Sequence, residues 1–165
     1  MKSQFNDYIQ RYNADLTRLC ISLCGNMSDA EDLLQDTWLK ALKNYDKYDS
    51  TKPFDKWLYS ICVNTYKNTV NSAFFKKRKC FQTDEEQRVF FSSIADVTLD
   101  NKDEYIQLHN AICALSKKHR IVIVLYYFKD YSVAEISQIM NIPTGTVKSR
   151  LSSARAEIKR RLTNE

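Results

Sequence analysis

The sequence predicts an all-α protein, built as two small helical domains joined by an extended linker. Three observations lead there. Among 165 residues there are two glycines and two prolines, too few for the turns of a sheet-rich fold. Apolar residues return at three- and four-residue spacing along most of the chain. Between Lys76 and about Asn101 that period is lost: a basic run (Lys76, Lys77, Arg78, Lys79) gives way to Asp84, Glu85 and Glu86, then to Val89, Phe90 and Phe91. Such a texture reads as a flexible linker with apolar residues able to dock elsewhere. The expected division is 1–78, 79–101 and 102–165.

The first domain reads as three or four helices. Phe5, Tyr8, Ile9, Tyr12, Leu16, Leu19 and Leu23 form one amphipathic pattern that ends near Gly25. Ser28-Asp29-Ala30-Glu31 fits a capping box for the next helix, in which a hydroxyl and a carboxylate satisfy the free amides of the first turn. Its expected core face is Ala30, Leu33, Leu34, Trp38, Ala41, Leu42 and Tyr45. A polar loop, Asp46 to Pro53, precedes a helix running from Phe54 toward Phe75, with Leu58, Ile61, Cys62, Thr65 and Tyr66 inward.

The second domain begins near Lys102. Helices are expected over Glu104–Leu115 and Lys117–Phe128, followed by a short helix opened by the capping box Ser132-Val133-Ala134-Glu135. Val133, Ile136, Ile139 and Met140 form its apolar face. Asn141 tolerates the left-handed conformation that ends a helix, Pro143 cannot continue it, and Thr144 is a good cap for the next. A short capped helix, a tight turn and a longer basic helix make a helix-turn-helix, whose second helix usually lies in the DNA major groove. In that helix Val147, Leu151, Ala154, Ile158 and Leu162 fall in one stripe. Ser149, Ser152, Ser153, Ala156 and Arg160 lie on the far side, with Lys148, Arg155 and Lys159 on a flank. Small polar groups can approach base edges, while Lys and Arg neutralise phosphates.

Two helices of the first domain carry outward faces of opposite character. One presents Asp29, Asp32, Gln35, Asp36 and Leu39, with Leu39 expected on the side opposite Leu34 and Trp38; an acidic stripe with an exposed leucine suits a basic protein partner. The other presents Lys56, Asn64, Lys67, Asn68 and Asn71, then the Lys76–Lys79 run, beside Phe54, Trp57 and Tyr59. Amides read bases, lysines hold phosphates and aromatic rings stack on unpaired bases.

The net charge of +5 suits a polyanionic partner. The polar start Met1-Lys2-Ser3-Gln4 and the lack of a long apolar run predict a cytoplasmic protein without membrane insertion. Five cysteines, an odd number scattered over helical patterns, argue against a disulfide framework. Cys20/Cys24 and His109/Cys113 are each one turn apart and could form half a zinc site; small apolar core residues are the preferred reading, and no metal is expected.

Taken together, these segments resemble the sigma-70 family of bacterial RNA polymerase sigma factors, in its extracytoplasmic-function group. Asp29 through Trp38 resembles the helix that grips the polymerase clamp. Phe54-Asp55-Lys56-Trp57-Leu58-Tyr59-Ser60-Ile61-Cys62-Val63-Asn64-Thr65-Tyr66-Lys67-Asn68 resembles the segment that opens the minus-ten element, and Ile142 through Leu162 the helix that reads the minus-thirty-five element. The resemblance implies a region 2-like domain over 1–78 and a region 4-like domain over 102–165. It implies polymerase contacts at Asp29, Asp32, Gln35, Asp36 and Leu39. It implies minus-ten contacts at Phe54, Lys56, Trp57, Asn64, Lys67 and Asn68, with the Asp46–Pro53 loop holding a flipped base. At the minus-thirty-five element it implies Thr144, Thr146, Lys148, Ser149, Ser152 and Ser153, with Arg150, Arg155 and Lys159 as phosphate or structural contacts. The implied partners are core polymerase (beta-prime clamp and beta flap), promoter DNA as duplex and single strand, and an anti-sigma protein. No cofactor, small-molecule substrate or catalytic group is implied.

The chain departs from the family pattern at Trp38, where Phe is usual, at Ser116, where Pro is frequent, and at Ser152-Ser153, where a bulky or basic pair is common. A stand-alone helix-turn-helix regulator is the alternative, but it leaves the acidic helix and the Asn/Lys strip without a role. A metal-dependent nuclease using Asp29, Asp32 and Asp36 is the more distant one, since those carboxylates spread around more than one helix face.

Overall fold

The computed structural model describes residues 2–69 and 102–163. All regular structure among them is helical, and the chain divides into two compact units, Met1–Glu86 and Gln87–Glu165. The expected linker 79–101, the lysine run before it and the continuation of the third helix toward Phe75 lie outside the described residues.

In the first unit α1 (Lys2–Cys24), α2 (Met27–Lys43) and α3 (Phe54–Thr69) pack around one core. Helix α1 ends where the spacing predicts. Gly25 adopts φ 77 and its amide reaches the Ile21 carbonyl at 2.8 Å, a left-handed closure that glycine makes without steric cost. Leu16, Leu19, Leu23, Leu58, Cys62 and Tyr66 are buried as expected, joined by Ile21 and Val63. A 3-10 turn, Tyr45–Lys47, leads from α2 into the loop before α3.

Helix α2 departs from expectation at its start. The cap is Asn26, two residues before Ser28. Its extended backbone (φ −151, ψ 155) lets Oδ1 accept the Asp29 amide at 2.8 Å. Asn and Ser cap about equally well, so the choice falls to the residue that the Gly25 turn places at the entry. The inward stripe of α2 is Ala30, Leu33, Thr37 and Ala41. Thr37 is accommodated in the core because its hydroxyl donates to the Leu33 carbonyl at 2.7 Å. Leu34 and Trp38 are only half-buried and Leu42 is 54% exposed, so the predicted core face was too wide.

The second unit comprises α4 (Lys102–Ala114), α5 (Lys117–Ile123), α6 (Val133–Met140) and α7 (Thr144–Thr163). The predicted helix Lys117–Phe128 changes character midway. Val124–Phe128 is a π-helical turn, closed by the Lys129 amide on the Val124 carbonyl at 3.2 Å. Ser116 holds the cap position of α5 and its carbonyl accepts the Arg120 amide at 2.9 Å. Ile121, Val122, Ile123, Leu125, Ile136, Ile139, Val147 and Leu151 form the centre of the core. Farther along the predicted α7 stripe, Ile158 is half-buried and Leu162 is 37% exposed.

Candidate functional site

The helix-turn-helix forms by the local rules read from the sequence. The Ser132 hydroxyl accepts the Glu135 amide at 3.1 Å and starts α6. Asn141 closes it at φ 54, ψ 49, and the Ile142 amide reaches back to the Ser137 carbonyl at 3.1 Å. One detail shifts: Thr144 is the first residue of α7 rather than the residue before it, and the Pro143 carbonyl accepts the Thr146 and Val147 amides at 3.0 and 3.2 Å. Proline has no N–H to lose in this place.

Burial of Val147, Leu151 and Ala154 fixes which side of α7 faces outward. Thr144, Lys148, Ser149, Ser152, Ser153, Arg155 and Lys159 are exposed, and Thr146 and Arg150 are half-buried. Ser149 Oγ donates to the Thr146 carbonyl at 3.2 Å, a weak local bond that a stronger acceptor can replace. Arg155 differs from its neighbours. Its Nε donates to the Tyr127 hydroxyl at 2.6 Å, and its guanidinium carbon lies 5.3 Å from the Tyr126 ring centre and 5.5 Å from that of Tyr127. The bond to Tyr127 is the chief reason its pKa is raised above the ordinary arginine value. Arg155 and Lys159 also edge an apolar groove of about 500 Å³, floored by Leu108, Ile112, Ile123, Phe128 and Ile158. Neither tyrosine was expected to take part; two adjacent aromatics at the end of a predicted helix were the available signal.

On α2, Asp32, Gln35, Asp36 and Leu39 are exposed, Leu39 to 60%. Asp29 is not: it is 6% exposed and its Oδ2 accepts from Asn26 Nδ2 at 2.7 Å. The expectation that Asp29 points outward is corrected, because as third residue of the helix it belongs to the cap. Leu39 is also not opposite Leu34 and Trp38. All three, with Leu42, line one groove of about 550 Å³ that has Phe5 and Ile9 of α1 on its other wall and Glu31 and Gln35 among its polar lining residues. Trp38 stands edge-on to Phe5, with centroids 5.9 Å apart, and its Nε1 donates to Asn13 Oδ1 at 2.9 Å, which satisfies the indole and fixes the groove wall.

On α3, Asn64 and Asn68 are exposed one turn apart, and Lys56 and Lys67 are half-buried. The aromatic residues expected beside them divide. Phe54 is 4% exposed and stacks on Tyr8, with centroids 3.9 Å apart and planes 6° from parallel; Tyr59 is 3% exposed. Both are core residues, and burial raises the Tyr59 pKa. Trp57 is half-buried, with its ring centre 4.9 Å from Tyr48. The loop between α2 and α3 is held from within. Asp49 Oδ1 accepts from the Thr51 amide at 3.0 Å and the Thr51 hydroxyl at 2.7 Å, bonds that lower the carboxyl pKa, and the Tyr48 hydroxyl donates to the Lys52 carbonyl.

Cys20 and Cys62 are buried thiols with sulfurs 3.8 Å apart, joining α1 to α3, and Cys24 is a half-buried thiol. Cys113 is disulfide-bonded, which corrects the expectation against disulfides at this position. His109 itself is 1% exposed; burial, with the Arg120 charge second, pushes its pKa down to about 3. Among the described residues, no group of three or more His, Cys, Asp or Glu could hold a metal ion, and no helix is long and apolar enough to cross a membrane.

Comparison with known proteins agrees with this arrangement. Residues 8–79 match Sigma-70 region 2 and residues 105–158 match Sigma-70 region 4. The chain is 31% identical to the ECF RNA polymerase sigma factor SigW of Bacillus subtilis, over 96% of this chain and 88% of that protein. It is 29% identical to RNA polymerase sigma factor SigV of the same organism, over 95% and 90%. Among solved structures, it is similar in fold to CnrH in complex with the cytosolic domain of CnrY, with a TM-score of 0.70, 22% identity, and coverage of 100% of this chain and 91% of that one. It is also similar to the sigma factor RpoE in complex with the anti-sigma factor NepR from Bartonella quintana, with a TM-score of 0.68, 25% identity, and coverage of 97% of both chains. Two regions matched in order, together with a relative of this identity aligned along nearly its full length, show that the chain belongs to the extracytoplasmic-function sigma factors of the sigma-70 family, the initiation factors that bind RNA polymerase and direct it to promoters.

Proposed function

We propose a residue-level division of labour for this initiation factor. Helix α2 docks on the polymerase clamp through Asp32, Gln35, Asp36 and Leu39, with the apolar groove beside Leu39 receiving the partner's apolar side chains. Helix α3 engages the minus-ten element through Asn64, Lys67 and Asn68, with Lys56 on a phosphate and Trp57 at the edge of the loop that holds a flipped base. Helix α7 enters the major groove at the minus-thirty-five element. There Lys148, Ser149, Ser152 and Ser153 face bases, Thr144 and Thr146 sit at the helix entry, and Arg150, Arg155 and Lys159 contact phosphates or support the helix. Asp29 and Phe54 act indirectly in this scheme, as cap and core.

The observation that carries the reading is the split of α7, with Val147, Leu151 and Ala154 buried and Lys148, Ser149, Ser152 and Ser153 exposed. Phosphate contacts alone give weak, salt-sensitive affinity. Two modules, over about 1–78 and 102–165, tethered to one polymerase through the 79–101 segment make the second contact effectively intramolecular, which raises avidity about a hundredfold or more. Opening the duplex costs a few kcal/mol per extruded base, offset by stacking and pocket contacts. No catalytic group, cofactor or small-molecule substrate is needed, and the chain works in the cytoplasm, where polymerase is. An anti-sigma protein that covers both modules is the expected regulator; the complex of the sigma factor RpoE with the anti-sigma factor NepR is the parallel.

The test is in vitro transcription with core polymerase on genomic DNA, followed by mapping of transcript starts. Starts clustered behind a shared two-part element are expected. Random starts, or none, overturn the reading.

A further inference from the structure

The π-helical turn Val124–Phe128 has no part in the scheme above, yet it presents the Tyr126–Tyr127 pair that holds Arg155. In an α-helix consecutive side chains diverge by about 100°. The wider turn brings two neighbours to one guanidinium, and the rings themselves meet edge-to-face with centroids 4.9 Å apart. Such turns recur at functional sites. We propose that Tyr127, supported by Tyr126, is a positioning residue for promoter binding, holding the Arg155 guanidinium as a ready-made clamp for a DNA backbone phosphate.

Three observations support the proposal. Arg155 is exposed and lies on the same flank of α7 as Lys148, two turns earlier, so a strand that meets Lys148 passes close to it. Its inner edge is engaged through Nε, while a guanidinium has N–H donors left over in a planar fork that suits phosphate oxygens. Finally, Tyr127 is 50% exposed, so the guanidinium it holds is presented at the protein surface, where a phosphate can reach it. A free arginine side chain loses much rotamer freedom on binding, and one already held between two rings loses less. The tyrosines therefore raise affinity without touching DNA.

This inference rests on the reading of Arg155 as a phosphate contact, and the experiment separates the two. Holoenzyme is reconstituted from the full chain and core polymerase. Its affinity is measured across a potassium chloride series for a promoter duplex recovered by selection from random sequence. Arg155→Ala is expected to weaken binding and to reduce the salt slope by about one released ion. Tyr127→Phe, with the charge intact, is expected to leave the slope unchanged and weaken binding about three- to tenfold, the usual worth of one hydrogen bond. In the Arg155→Ala background, Tyr127→Phe should have no effect. If Arg155→Ala matches the parent, or weakens core polymerase binding instead of DNA binding, the phosphate reading fails and takes the inference with it. If Arg155→Ala behaves as expected but Tyr127→Phe binds like the parent, or costs as much with alanine at 155, the positioning role alone is overturned.

Discussion

Asn26 and Asp29 satisfy one another twice: the Asp29 amide donates to Asn26 Oδ1 at 2.8 Å, and Asn26 Nδ2 donates to Asp29 Oδ2 at 2.7 Å. The pair anchors the first turn of α2, the helix proposed to dock on polymerase. Asn26→Ala should cost about 1 kcal/mol, the usual loss for a helix cap. A melting midpoint lowered by roughly 4–8 °C, expected for a domain of this size, would register it. Polymerase capture by the folded variant should change little.

Asp32 provides the opposite case, exposed on the same helix beside Gln35, Asp36 and Leu39. Asp32→Lys should abolish capture by core polymerase while the circular dichroism spectrum and melting midpoint stay near those of the parent. Capture at parental strength would remove this face of α2 from the clamp assignment.

Lys148 occupies the exposed flank near the start of α7. Lys148→Ala should weaken binding to the upstream element about five- to a hundredfold, the range of one good base contact, and more for the preferred sequence than for scrambled ones. An equal loss on every sequence would make Lys148 a phosphate contact.

His109 gives the second unit a pH dependence whose sign follows from burial. Its folded pKa of about 3 lies below the ordinary 6.5, so between those values the unfolded chain holds a proton that the folded chain lacks. This contribution is fully present above pH 6.5 and is lost progressively as pH falls toward 3, amounting to a few kcal/mol at the acid end. His109→Gln should flatten that part of the stability curve in denaturant titrations at a series of pH values. An unchanged slope would mean that His109 is protonated in the native state.

The helices and the helix-turn-helix were legible because each is encoded locally. Ser132 with Glu135, Asn141 followed by Pro143, and the Val147–Leu151–Ala154 spacing each need only a few neighbouring residues to act. What the sequence left open depends on distant packing. Asn26 and Ser28 are both competent caps, and the chain turn at Gly25 decides between them. Leu34, Trp38 and Leu42 continue the apolar period of α2, but α1 and α3 cover only the Ala30–Leu33–Thr37–Ala41 stripe, which leaves the other three to build a groove. Phe54 looked like a base-stacking ring until Tyr8, forty-six positions earlier, was found lying flat against it. The π-turn leaves no hydropathy signal, since it shifts backbone bonds by one residue without changing which side chains are apolar.

The eight-residue helix α6 is bracketed by two non-glycine residues of positive φ, Asp130 at 57 and Asn141 at 54. Asp and Asn are the side chains that bear this conformation most readily, whereas a β-branched residue there would pay roughly 1–2 kcal/mol. The entry to α6 and its exit toward α7 thus pass through two small polar residues in the left-handed conformation. Exchanging either for valine should lower the melting midpoint and weaken promoter binding, although none of the side chains proposed to meet bases is changed.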